Sequence, residues 1–187
     1  MFALIVFSLL FLPSLQSSCL PGEYTSSTKC LRCPTGSYCP DGIQRILCKP
    51  GTYNALYGQE KCRICRSGTY TIQNGSQNCN KCPLGRSCSD SAKLPVLCPP
   101  GTYADLYEQT ECRSCPIGYY SYQSGSTYCN KCPTGYMCKD PTKLPEVCPV
   151  GFYNGLYAQT NCRKCSTNST TLGTGKLECV PDTAIIS

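Results

Sequence analysis

Residues 98–115 read CPPGTYADLYEQTECRSC, and residues 148–165 read CPVGFYNGLYAQTNCRKC. The two stretches share their cysteines, the C-P-x-G opening, a tyrosine and an L-Y-x-Q-T core, at an offset of 50 residues. The same offset relates Cys48 to Cys98 and Cys148, Cys62 to Cys112 and Cys162, and Cys65 to Cys115 and Cys165. Self-similarity at a fixed period defines an array before any strand or helix is assigned.

A finer repeat lies inside the long one. C-x-x-G begins at Cys19, Cys33, Cys48, Cys65, Cys82, Cys98, Cys115, Cys132 and Cys148, at steps of 14 to 17. Most copies reach a tyrosine five residues on: Tyr24, Tyr38, Tyr53, Tyr70, Tyr103, Tyr120 and Tyr153. The last unit, from Cys165, has neither the glycine nor the tyrosine, as befits the end of a stacked array. Pro and Gly after the cysteine favour a tight turn, and the T-Y or F-Y that follows has strand propensity. A second turn such as Asn74-Gly75 or Ser124-Gly125 returns the chain to a closing cysteine, which predicts a small irregular hairpin. Each tyrosine ring is expected over a disulfide, supplying much of a small core.

Composition agrees with this reading. Twenty of 187 residues are cysteine, about 11%, which is disulfide-scaffold territory. Large aliphatic residues thin out after the first dozen positions, so one sizeable hydrophobic core is excluded. The fold class is therefore small and disulfide-rich: an elongated array of short hairpins, with little regular secondary structure beyond an N-terminal signal-peptide helix. There is no histidine, which removes the Ser-His-Asp and Cys-His arrangements and histidine-bearing zinc sites. No catalytic, cofactor or metal residue is assigned.

Phe2 to Leu12 is an unbroken apolar run, too short to span a bilayer and suited to a secretory signal peptide cleaved near Ser18. It lacks a preceding Lys or Arg, and Leu15 sits one position too far upstream for a lipoprotein box at Cys19. No second apolar run and hence no transmembrane segment is expected. An oxidising compartment and an even cysteine count favour disulfides over zinc for the six C-x-x-C pairs. The expected organisation is a signal peptide (1–18), three cysteine-rich repeats (19–64, 65–114, 115–164) and a degenerate half-repeat with tail (165–187).

All twenty cysteines are assigned to disulfides. Spacing makes each C-x-x-C a joint between units, with Cys65–Cys79, Cys115–Cys129, Cys165–Cys179 and the shorter Cys19–Cys30 closing hairpins. The groups Cys33/Cys39/Cys48/Cys62, Cys82/Cys88/Cys98/Cys112 and Cys132/Cys138/Cys148/Cys162 admit two pairings. In the self-contained one Cys82 joins Cys88 and Cys98 joins Cys112. In the interlocked one Cys82 joins Cys98 and Cys88 joins Cys112. Each loop of roughly 15 residues so closed is worth about 3 kcal/mol in the chain-entropy account.

The repeated C-P-x-G-[TYF]-Y…C-x-x-C resembles the ephrin-receptor-like cysteine-rich repeat, and the resemblance runs from Cys19 to Cys179. The order of hairpin, joint and four-cysteine group is also similar to tumour necrosis factor receptor modules, whose groups are interlocked. Both resemblances imply a disulfide-laddered extracellular chain built for protein contacts. Fold alone assigns no ligand.

The leading expectation is thus a secreted or surface interaction or spacer module, with an extracellular protein as partner and no nucleic acid. A protist or invertebrate surface-coat antigen is the second reading. A soluble glycosaminoglycan or matrix binder is the third, resting on the net charge of +6 and on Lys61, Arg63, Arg66, Lys81, Arg86 and Lys93. Ordinary solubility on a solvated face is the preferred reading of those cations. A redox enzyme would need an isolated C-x-x-C, whereas six lie here in a regular ladder. Asn74-Gly75-Ser76 and Asn168-Ser169-Thr170 are sequons, so Asn74 and Asn168 are expected to carry glycans in a eukaryotic secretory route.

Overall fold

The computed structural model describes residues 19–185, and the expected signal peptide lies outside them. Ten two-stranded antiparallel sheets follow one another along the chain, each a single hairpin. The first, Glu23–Ser26 with Lys29–Arg32, is the longest. The rest are two-residue strands, such as Thr102–Tyr103 with Arg113–Ser114 and Tyr119–Tyr120 with Asn130–Lys131. A short 3₁₀ turn over Asp182–Ile185 closes the described chain.

Ten disulfides, one per hairpin, take up all twenty cysteines. The four-cysteine groups are self-contained: Cys33–Cys39 with Cys48–Cys62, Cys82–Cys88 with Cys98–Cys112, and Cys132–Cys138 with Cys148–Cys162. The interlocked pairing implied by the tumour necrosis factor receptor likeness is not the one formed. Cys62 and Cys65 close different hairpins, as do Cys112 and Cys115, so each C-x-x-C is a joint.

Each opening C-x-x-G forms a β-turn. The N–H of Thr102 donates to the Pro99 carbonyl and that of Thr52 to Lys49. The glycine at the third turn position takes positive φ, 79° at Gly101 and 69° at Gly85. Its carbonyl then accepts from the N–H of the cysteine that opens the next unit, as Gly85 does from Cys98 and Gly101 from Cys115. The last unit keeps this geometry without the glycine. Asn168 occupies the position at φ 61°, and its carbonyl accepts from Asp182, which stands where the next cysteine would be. Asn is one of the few side chains that tolerate the left-handed region.

Successive hairpins are joined by main-chain hydrogen bonds. The Gly85 N–H donates to Ala104 O and the Gly101 N–H to Ser121 O, while the Ala104 N–H passes on to Ser126 O. The residue just after each first strand thus accepts from the hairpin before and donates to the hairpin after. Five such residues, Asn54, Thr71, Ala104, Ser121 and Asn154, are buried, as is Thr171 of the last hairpin, whose hydroxyl accepts from the Gly151 N–H; with the half-cystines they form the core. The tyrosines placed over the disulfides by the sequence reading are only half-buried. Asn54 shows why the buried side chains are small and polar: its Nδ2 donates to Ser37 O at 2.8 Å and Lys61 O at 3.2 Å, tying strand to neighbour.

Hairpins two apart also touch through the turn glycines. A Cβ on Gly85 would lie 2.1 Å from the Gly125 carbonyl oxygen, whereas one on Gly151 would meet nothing within 4 Å. Both glycines have positive φ, 69° and 82°, so alanine strains the backbone at either. Gly151→Ala is expected to cost about 1 kcal/mol from that strain alone. Gly85→Ala must also push two hairpins apart and is expected to cost about 3 kcal/mol or more. Thermal unfolding of both variants under non-reducing conditions checks the difference; equal losses would remove the stacking role given to Gly85.

Candidate interaction surface

The L-Y-x-Q segment occurs three times, in the loops between the strands of three hairpins. Its leucines and tyrosines, Leu56-Tyr57, Leu106-Tyr107 and Leu156-Tyr157, are each more than half exposed. The fourth residue explains how they are held outward. Gln59 and Gln159 donate from Nε2 to the Tyr57 and Tyr157 carbonyls, and Gln109 Oε1 accepts from the Leu106 N–H. The Gln carbonyls accept from Cys39, Cys88 and Cys138 of the preceding hairpin, which fixes the loop to the ladder. The third residue of the segment is left-handed in every copy: Gly58 at 72°, Glu108 at 65° and Ala158 at 59°. Its N–H donates to the carbonyl of Cys33, Cys82 or Cys132.

The repeat text contained these leucine–tyrosine pairs, but repetition alone does not say whether they are buried or displayed. Burial separates the two kinds of tyrosine. Those five residues after a cysteine lie half-buried against the ladder, and those of L-Y-x-Q stand out in solvent. One of them is partly occupied already, with the Lys131 ammonium 5.3 Å from the Tyr157 ring centroid.

The basic residues do not form one open stripe. Arg66 meets Glu108 at 2.8 Å and Lys81 meets the same carboxylate at 3.2 Å. Lys93 pairs with Asp90 at 3.0 Å, and the Arg86 guanidinium donates to the Pro95 carbonyl at 3.0 Å. Of the six cations singled out in the sequence, only Lys61 and Arg63 have no such partner among the described residues. That weakens the glycosaminoglycan reading, which rested on all six.

Among the described residues, Cys19, Glu23 and Cys30 bring three ligand-type atoms within 4.8 Å of one another. The two sulfurs are bonded to each other, so neither is a thiolate that could hold a metal. No helix among the described residues is long and apolar enough to cross a membrane. Both sequon asparagines are exposed, Asn74 on a hairpin loop and Asn168 in its left-handed turn.

Residues 51–92 and 101–143 match the family described as tyrosine-protein kinase ephrin type A/B receptor-like. The two matched stretches lie in tandem and together take in a little under half of the chain. Each matched stretch starts at the turn glycine of one hairpin, Gly51 or Gly101, and runs to the loop two hairpins on, so it takes in one L-Y-x-Q display and two C-x-x-C joints. Comparison with curated proteins returned no match.

Glu108 is the one L-Y-x-Q position where an ion pair, and not a glycine, accompanies the left-handed backbone. A hydrogen bond from the Lys81 ammonium, with the charge of Arg66 adding to it, holds the Glu108 carboxyl below its ordinary value against the opposing effect of desolvation. A depressed carboxylate contributes stability that is complete above its unfolded-state pKa and is lost as pH falls through its folded-state pKa. Glu108→Gln is therefore expected to melt below the unsubstituted chain at neutral pH. The gap should close on acidification and shrink in high salt. Melting curves across that pH range check this; a gap independent of pH would assign the loss to something other than the carboxylate.

Proposed function

We propose that this protein is a secreted, non-catalytic extracellular module whose repeated loops bind another extracellular protein or space a binding partner from a surface. The observation that carries the reading is the exposed leucine–tyrosine pair, presented three times by the same glutamine-closed loop on a disulfide ladder. Tyrosine on a rigid support supplies large contact area at low entropic cost, and so suits recognition of protein surfaces. Repetition adds avidity, because a partner with more than one site engages successive loops intramolecularly. The ladder supports this use by consuming every cysteine internally, leaving no thiol to cross-link at random.

Secretion with cleavage near Ser18 and glycans at Asn74 and Asn168 belong to the same reading. Expression in secreting eukaryotic cells tests it. The chain is expected in the medium, lighter by about twenty hydrogens than the fully reduced form once deglycosylated, with one glycan lost in Asn74→Gln and the other in Asn168→Gln. Retention inside the cell as free thiols would overturn it. Against a panel of extracellular proteins, Leu106→Ser/Tyr107→Ser is expected to weaken any captured partner about tenfold or more while leaving the melting temperature nearly unchanged, as expected for a truncated interface anchor. Undiminished capture by a variant altered at all three pairs would remove the role given to these loops.

A further inference from the structure

One groove differs from everything around it. It lies between the loop of the hairpin Tyr119–Tyr120/Asn130–Lys131 and the tip of the next hairpin, and has a volume of about 540 Å³. That is within the range of roughly 300–1,000 Å³ typical of small-ligand sites. Tyr120, Tyr122 and Tyr128 supply three rings, Leu144 closes one side, and Gln123 and Asn130 supply amides. No lining residue is charged. Tyr120 and Tyr122 are stacked, with centroids 6.5 Å apart and planes inclined at 27°.

The wall is built and held. Ser121 Oγ donates to Ser126 Oγ at 2.6 Å, and Ser126 Oγ donates to the Gln123 carbonyl at 2.9 Å, fixing the loop that carries Tyr122 and Tyr128. Leu144 is set at the tip by a turn in which Asp140 Oδ1 accepts from the Thr142 N–H at 2.9 Å and Asp140 Oδ2 meets Lys143 at 3.2 Å. Tyr122, Tyr128 and Leu144 remain 45%, 66% and 60% exposed, so their faces are open to a ligand.

The molecule contains its own control fifty residues earlier. A groove of about 520 Å³ there keeps Tyr70, Gln73, Ser76, Asn80 and Leu94 in the equivalent places. Ile72 stands where the later groove has Tyr122, and Asn78 where it has Tyr128. The loop is held by the same Ser76 contact to the Gln73 carbonyl at 2.9 Å. The scaffold is thus indifferent to the two extra tyrosines; folding does not require them.

We propose that the groove at Tyr120, Tyr122 and Tyr128 is a binding site for a neutral saccharide. A pyranose ring has an apolar C–H face that packs on stacked aromatic rings and a rim of hydroxyls that both donate and accept. The groove is lined by tyrosine rings and by amides that donate and accept, with no charge to demand an ionic ligand. An anionic sugar finds no cation in this lining, and a wholly apolar segment would bury the Gln123 and Asn130 amides without partners. The site is independent of which protein the leucine–tyrosine loops bind.

The test uses full-length secreted protein carrying Asn74→Gln and Asn168→Gln, so that no glycan of its own fills the groove. Saturation-transfer NMR is run with the methyl glycosides of glucose, galactose, mannose and N-acetylglucosamine, with a heparin hexasaccharide as the charged comparison. Transfer to the C–H face of at least one neutral glycoside is expected, with none to heparin through this site. Tyr122→Ile/Tyr128→Asn, which copies the earlier groove, is expected to raise the apparent Kd about tenfold or more at unchanged melting temperature. Tyr128→Asn alone is a second variant and is expected to show a smaller loss. Absence of transfer to every neutral glycoside, transfer that survives the double substitution, or binding confined to heparin would each overturn the proposal.

Discussion

Every cysteine in this chain bonds within its own hairpin, so between one hairpin and the next there is no cross-link apart from the backbone itself. The stack therefore depends on hydrogen bonds of the kind that run from the Gly85 N–H to Ala104 O and from the Ala104 N–H onward to Ser126 O. These bonds explain the composition of the core. The residue that accepts from one hairpin and donates to the next is buried beside the cystines, and it is a small or polar residue such as Ala104, Ser121 or Asn54, or a half-cystine such as Cys39. They also explain the turn glycine, whose position two hairpins from a loop carbonyl leaves no space for a Cβ at Gly85 or Gly36.

From that ladder follows what is displayed. A hairpin of two-residue strands has no face to bury, so its loop residues go outward unless a neighbour takes them. The L-Y-x-Q loop is pinned at its glutamine and at its left-handed third residue, which leaves the leucine and tyrosine as the parts with no structural partner. The same logic places Leu94 and Leu144 beside open grooves. Function in such a chain resides in loop chemistry that varies between otherwise equal rungs, and the exchange of Ile72 and Asn78 for Tyr122 and Tyr128 is a variation of this kind.

The hairpin array, its period and its joints were legible in the sequence because cysteine, glycine and proline each report a local constraint. What was hidden depended on partners distant in the chain. Pairing within Cys82/Cys88/Cys98/Cys112 turns on which loop closes against which, and spacing alone satisfies both solutions. Asn168 read as a degenerate position because the motif was defined by residue type, whereas the turn asks for a φ that asparagine also reaches. A stripe stayed open as a lesser reading of the basic cluster because the ion pair of Arg66 with Glu108 spans 42 residues. The exposure of Tyr57, Tyr107 and Tyr157 was not legible, because repetition alone carries no information on burial.

Self-contained sulfur bonding has a mechanical consequence. A pull along the chain travels from Cys98 across its bond to Cys112, over the short joint to Cys115, and across again to Cys129. The loops are bypassed, and each 14-residue span keeps about 45 Å of contour out of reach of the force. Only the spans 39–48, 88–98 and 138–148, which no sulfur bridge short-circuits, can pay out under load. The molecule is thus a tether of nearly fixed length with three short compliant segments at regular intervals. A thiol that reduced one bond would lengthen it by one measured step and leave its neighbours taut.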